Sequence, residues 1–147
     1  MEQHKQIFEK VFSGTVQTYK NTLTNYYPSF ESIGFTERNL TFNFCHNYFS
    51  VNGYAKVWQE VPLNVKNEKG KYDEHYDSLI IDEKNRVLVI IEAKRLNSER
   101  KLYSINEDYN RIMSQFSKIN AYEKYREFSK YGILLADIWI PREGPKN

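Results

Sequence analysis

The run Val87-Leu88-Val89-Ile90-Ile91 is apolar at every position and β-branched on both parities. A strand with one wet face alternates, so a run that does not alternate belongs in the middle of a sheet, covered on both sides. This run leads directly into Glu92-Ala93-Lys94. Charge placed at the end of a central strand is unusual for packing and usual for ligand sites, because α/β sheets present ligands at strand ends. The rest of the chain is read outward from this strand.

Upstream, His75 to Ile81 forms a second strand and Asp82 to Asn85 a turn, making a hairpin with the third strand, Arg86 to Lys94. A first strand covers Tyr54 to Val65, with Val57, Val61, Leu63 and Val65 on a two-residue step, and Pro62 places it at a sheet edge or a bulge. Asn67 to Lys71 is a turn around Gly70. Two helices precede the strands. Residues 2 to about 27 repeat Ile7, Phe8, Val11, Phe12, Val16, Tyr19, Leu23 and Tyr26 at three- and four-residue steps until Pro28. Thr36 caps a second helix starting at Glu37, with Leu40, Phe44, Tyr48 and Val51 as its apolar stripe and Asn52-Gly53 as its stop. After the site, Ser98 to about Ser129 is helical, in one or two pieces, with Ile105, Tyr109, Ile112, Phe116 and Ile119 spaced four-three-four-three. A last strand, Tyr131 to Ile140, begins at Gly132 and stops at Pro141. The long helix returns the chain for a parallel pairing. The order is helix, helix, three antiparallel strands, helix, strand, an α/β (α+β) arrangement with a central mixed sheet flanked by helices.

At 147 residues the chain fits one domain, divided here into an N-terminal helical extension (1–33), a core (34–140) and a polar tail (141–147). The apolar fraction of 40 % and aromatic fraction of 16 % exclude a disordered chain. A single cysteine, Cys45, excludes an internal disulfide and a cysteine-based zinc site, and reads as a small buried hydrophobe. The N-terminus carries charges where a signal peptide needs an apolar stretch, and no apolar run is long enough for a bilayer. A cytoplasmic protein with no membrane partner is expected. The net charge of +2 does not by itself announce a polyanion partner, although Lys94 to Lys130 holds nine Lys+Arg against five Asp+Glu.

Asp77 opens the second strand, and the hairpin brings it toward Glu92 and Lys94. All three share a face when the register pairs Ile81 with Arg86 or Asp82 with Asn85, which sets Asp77 opposite Ile90 and His75 opposite Glu92. Two carboxylates held close repel unless a cation lies between them. A hard ion such as Mg²⁺ or Mn²⁺ takes oxygen ligands, here Asp77, Glu92 and the Ala93 carbonyl, and lowers the pKa of a bound water. Lys94 would hold or deprotonate that water and offset charge on a phosphorane.

An Asp, a hairpin, a hydrophobic strand and then Glu-x-Lys resembles the PD-(D/E)XK nuclease superfamily, whose restriction-endonuclease-like αβββαβ core matches the order inferred for residues 34 to 140. Tyr76 stands where the motif name has Pro. Gly34-Phe35-Thr36-Glu37-Arg38-Asn39-Leu40 is similar to the Gly-x-x-Glu-Arg-x-Leu start of the first core helix in archaeal Holliday-junction resolvases. The resemblance implies Glu37 as an accessory metal-site acid, with Glu60 competing for that role. It implies Gln115, on a stripe with Arg111, Lys118 and Tyr122, near the water or phosphate. Asp108 and Arg111, three apart, read as a local ion pair. Arg95, Arg111 and Lys118 are expected phosphate contacts, and His75 a flanking group near phosphate. The function implied is Mg²⁺-dependent endo- or exonucleolytic hydrolysis of DNA, with no haem or nucleotide cofactor and with a homodimer left open. The alternative is a catalytically silent protein of the same fold, binding nucleic acid or protein in a defence or mobile-element system.

Overall fold

The computed structural model describes residues 2–25, 36–62, 75–96, 98–120 and 122–138, with the side chains at positions 99 and 100 left aside. The expectations for Pro28, Gly34-Phe35, the end of the first strand beyond Pro62, the Asn67–Lys71 turn and the 141–147 tail lie outside those residues. The elements are helix α1 (Glu2–Asn25), helix α2 (Glu37–Val51), strands β1 (Lys56–Pro62), β2 (His75–Asp82) and β3 (Val87–Leu96), helix α3 (Glu99–Asn120), a 3₁₀ turn (Glu123–Tyr125) and strand β4 (Ser129–Ile138).

The four strands form one mixed sheet in the order β1-β2-β3-β4. The first two neighbour pairs are antiparallel, and β3 with β4 is parallel. The apolar run of β3 is central and buried on both faces, as its sequence requires. Val87, Val89 and Ile91 pack beneath Ile7 and Val11 of α1 and Phe44, Cys45 and Tyr48 of α2. Leu88 and Ile90 pack on the other side against Ile112 of α3 and the flanking Phe116 and Ile119. The N-terminal helix is therefore part of the core.

Thr36 caps α2 as expected: its hydroxyl oxygen accepts the Asn39 N–H at 3.3 Å. Leu40, Phe44 and Tyr48 are buried, but Val51 is exposed at the last position. The Tyr48 hydroxyl donates to Asp82 Oδ2 at 3.1 Å. The Asp82 carboxylate also accepts from the Asn85 backbone N–H at 3.0 Å and from its side-chain amide at 2.8 Å. Asp82 is fully buried, so its charge is held only because these donors replace water. Burial and the neighbouring Asp82 both push the Tyr48 hydroxyl pKa up.

These bonds set a four-residue connection, Glu83–Arg86, with Arg86 at φ 52°. Asp82 pairs with Val87, not with Asn85, and Ser78 pairs with Ile91. The register is thus displaced by two residues from the one expected. A two-residue displacement conserves parity, so side chains keep their faces while their partners change. The β2–β3 ladder ends at Ser78↔Ile91, one residue before Asp77.

Helix α3 keeps its expected apolar stripe at Ile112, Phe116 and Ile119 and departs from it at Tyr109. Ile112 is buried, but Tyr109 is half exposed, and Asp108 and Gln115 point inward instead. Gly132 lies within β4, not at its start. A Cβ there would stand 2.5 Å from Ile112 Cγ2, so the missing side chain lets α3 settle onto the sheet. Gly132→Ala is expected to destabilise the fold by about 1–3 kcal/mol through overpacking. Denaturant unfolding should show a smaller loss when the same change is made in an Ile112→Val background, and additive losses would refute the contact.

Candidate active site

The β1–β2 and β2–β3 ladders carry the chain to a break at Asp77. Tyr76 and Ile80 have the same parity but join opposite core clusters, so β2 changes face between them. On β1, Glu60 falls between the pairs Gln59↔Ser78 and Val61↔Tyr76, and so lies across from Asp77. Glu60 has φ 52°, a left-handed conformation that costs a non-glycine residue roughly 1–2 kcal/mol. Strain of this kind persists where the surroundings impose it.

At the break the Asp77 side chain replaces a backbone acceptor: Asp77 Oδ2 accepts the Ala93 N–H at 2.6 Å. Two residues on, Glu37 Oε1 accepts the Arg95 N–H at 2.9 Å. Two acids from different elements thus bind successive outward amides at the C-terminal end of β3. Lys101 Nζ stands 3.7 Å from Glu37 Oε1. Glu60 forms an exposed pair with Arg38 at 3.3 Å. Asp77, Glu60 and Arg38 line a small pocket of about 100 Å³ with Thr41 and Gln59. Burial raises the Asp77 pKa, and the fields of Glu37 and Glu60 add to that; the Ala93 amide and Lys94 oppose it. Both candidates for the accessory acid therefore lie within electrostatic reach of Asp77.

Glu92 and Lys94 turn toward α3. Arg111 donates to Glu92 Oε1 through Nε at 3.2 Å and Nη2 at 2.5 Å. The same Nη2 donates to Asp108 Oδ1 at 2.6 Å. Lys94 Nζ lies 3.2 Å from Asp108 Oδ2, at an angle that leaves that oxygen without a hydrogen bond. The local Asp108–Arg111 pair is present as expected, and it extends into a four-member chain, Lys94–Asp108–Arg111–Glu92. Both acids are 3 % exposed at the side chain, so each charge needs its partner.

Asp108 was not expected as a site member. Its signal is the four-three spacing Asp108, Ile112, Gln115, which places two polar residues in line with the buried Ile112. Gln115 is buried, Lys118 and His75 are exposed, and Arg95 is half-buried. His4, for which the sequence named no partner, bridges the Tyr131 hydroxyl at 3.0 Å and the Asn85 carbonyl at 3.2 Å, away from the site. Cys45 is buried in the core, and burial pushes its thiol pKa up.

The donors here are hard oxygens, the chemistry that suits Mg²⁺ or Mn²⁺. Asp77, Glu92, Glu37 and the Ala93 carbonyl are the groups that would hold the ion. Among the described residues no three His, Cys, Asp or Glu side chains stand grouped closely enough to hold a metal. In this arrangement Arg111 and Lys94 supply the positive charge.

Neither a protein-family profile, nor a curated protein, nor a solved structure matches the chain. No helix among the described residues is long and apolar enough to cross a membrane.

Burial pushes Glu92 up to about 7 from an ordinary 4.5, against the opposing pull of Arg111. Below pH 4.5 the folded and unfolded chains both carry that proton. Between 4.5 and about 7 the unfolded chain has lost it and the folded chain keeps it, so stability falls as pH rises and levels off above. The fall is on the order of 3 kcal/mol for this one group. Denaturant unfolding in chelator should show that decline in the native chain and a flatter profile in Glu92→Gln. An unchanged profile would show that Glu92 stays ionised against Arg111.

Proposed function

We propose that the protein is a divalent-cation-dependent nuclease of PD-(D/E)XK type that hydrolyses DNA phosphodiesters. The observation that carries this reading is the convergence at one strand end: Asp77 bonds the Ala93 amide, while Glu92 and Lys94 flank that same residue. Glu37 bonds the next outward amide of the strand. The order of the elements, with three antiparallel strands, a helix and a parallel fourth strand, supports a restriction-endonuclease-like core.

In this reading a bound Mg²⁺ or Mn²⁺ supplies Lewis acidity and a water of lowered pKa. Asp77 and Glu92 would hold the ion, with Glu37 or Glu60 as the accessory acid. Lys94 orients the attacking water and offsets the developing charge. Asp108 fixes the position of Lys94, and Arg111 that of Glu92, from the rigid face of α3. Arg95 and Lys118 would draw the phosphate backbone in a salt-dependent way.

A second reading has its own observation. Glu92 is bonded by Arg111 and Lys94 is paired with Asp108, so the charges of the site satisfy one another. A catalytically silent protein of the same fold, acting as a nucleic-acid-binding or protein-interaction module, would show this internal neutrality.

Incubation with supercoiled, linear, single-stranded and branched DNA in Mg²⁺ or Mn²⁺ separates the two. Cleavage is expected on at least one substrate, with a loss of about 10²-fold or more in Asp77→Ala and Lys94→Ala. Mg²⁺ should also raise the melting temperature of the native chain and not of Asp77→Ala. Cleavage that survives both substitutions would move the site elsewhere. No cleavage and no metal-induced shift would favour the silent module.

A further inference from the structure

On the α3 side of the sheet, beside the carboxylates, lies a cleft of about 500 Å³ between β1, β2 and α3. Its floor includes Leu79 and Ile90, and its edges carry Trp58, Tyr122, Lys118 and Gln115. A volume of this size suits a flat ring system, and a mostly apolar lining with few polar groups is the usual make-up of a ligand cleft.

Gln115 sets the cleft apart from a packing defect. It is 8 % exposed, and its side-chain amide makes no hydrogen bond among the described residues. The amide keeps access to solvent in the cleft, so a ligand with matching groups can reach it. Such an amide has both a donor and an acceptor, and a nucleobase edge has the complementary pair. Trp58 and Tyr122 are each about half exposed at the mouth, where an aromatic face can stack on a base. Among the described lining residues Lys118 supplies the one charge, positive, as a phosphodiester requires. Arg111, which bonds Glu92, lies one turn before Gln115 on the same helix, about 6 Å along the axis. A base in the cleft would therefore belong to a nucleotide whose phosphate lies near the carboxylates.

We propose that this cleft is a nucleobase-binding site, which receives one unstacked base of a single-stranded or locally opened DNA strand, stacked at Trp58 and Tyr122 and bonded by Gln115. This rests on the nuclease reading for the identity of the ligand, but not on cleavage. The strand would be gripped at two points, a base in the cleft and a phosphate at the end of β3. Duplex DNA with all bases paired would use only the second.

Fluorescence anisotropy in chelator tests this without any cleavage. The probes are a labelled single-stranded deoxyoligonucleotide and a strand of equal length whose central residues are abasic. The native chain is expected to bind the base-containing strand about tenfold more tightly. Trp58→Ala and Gln115→Leu should each remove most of that difference and leave affinity for the abasic strand unchanged. Trp58 is exposed, so its variant is expected to fold even if Gln115→Leu does not. Equal affinity for the two strands, or a preference that survives both substitutions, overturns the proposal. A base preference that the variants remove, in a chain that cleaves nothing with Mg²⁺, supports the cleft and rejects the nuclease. Cleavage without a base preference does the reverse.

Discussion

The buried Asp82 carboxylate is the anchor on which the rest of the sheet depends. It joins three donors from two elements, the Asn85 backbone and side chain and the Tyr48 hydroxyl. A carboxylate fully out of water tolerates little displacement of its donors. The β2–β3 hairpin is therefore held in one register and fastened to α2 at once. With Asp82 opposite Val87, the ladder runs as far as Ser78↔Ile91, and Asp77 just beyond it acts on Glu92 through its field.

A local motif announces residue types, and the fold decides which of them meet. The strand β3, the Thr36 cap and the face of Leu40, Phe44 and Tyr48 were legible because each depends on period, propensity or a cap within a few residues. The register was not, because a four-residue turn closed by the Asp82 side chain on Asn85 takes the place of a tighter one. One position of the α3 stripe, Tyr109, departs for a related reason. An apolar stripe through Tyr109 assumes a uniformly apolar surface beneath the helix, whereas the end of β3 offers Glu92 and Lys94. Asp108 turns inward to meet charge, and Tyr109 turns out. The pairs that make the site, Glu37 with the Arg95 amide and Arg111 with Glu92, are nonlocal.

The acids at the strand end are held in two different ways. Asp77 and Glu37 face backbone amides, which are fixed dipoles that cannot leave. Glu92 faces the Arg111 guanidinium, which Asp108 holds in turn.

Helix α3 rests on the sheet at the point where Ile112 meets Gly132. Asp108 lies one turn to one side of that contact and Gln115 one turn to the other. Ile112, Phe116 and Ile119 together seat the helix on the sheet, so one helix carries both Asp108 at the end of β3 and Gln115 at the edge of the cleft.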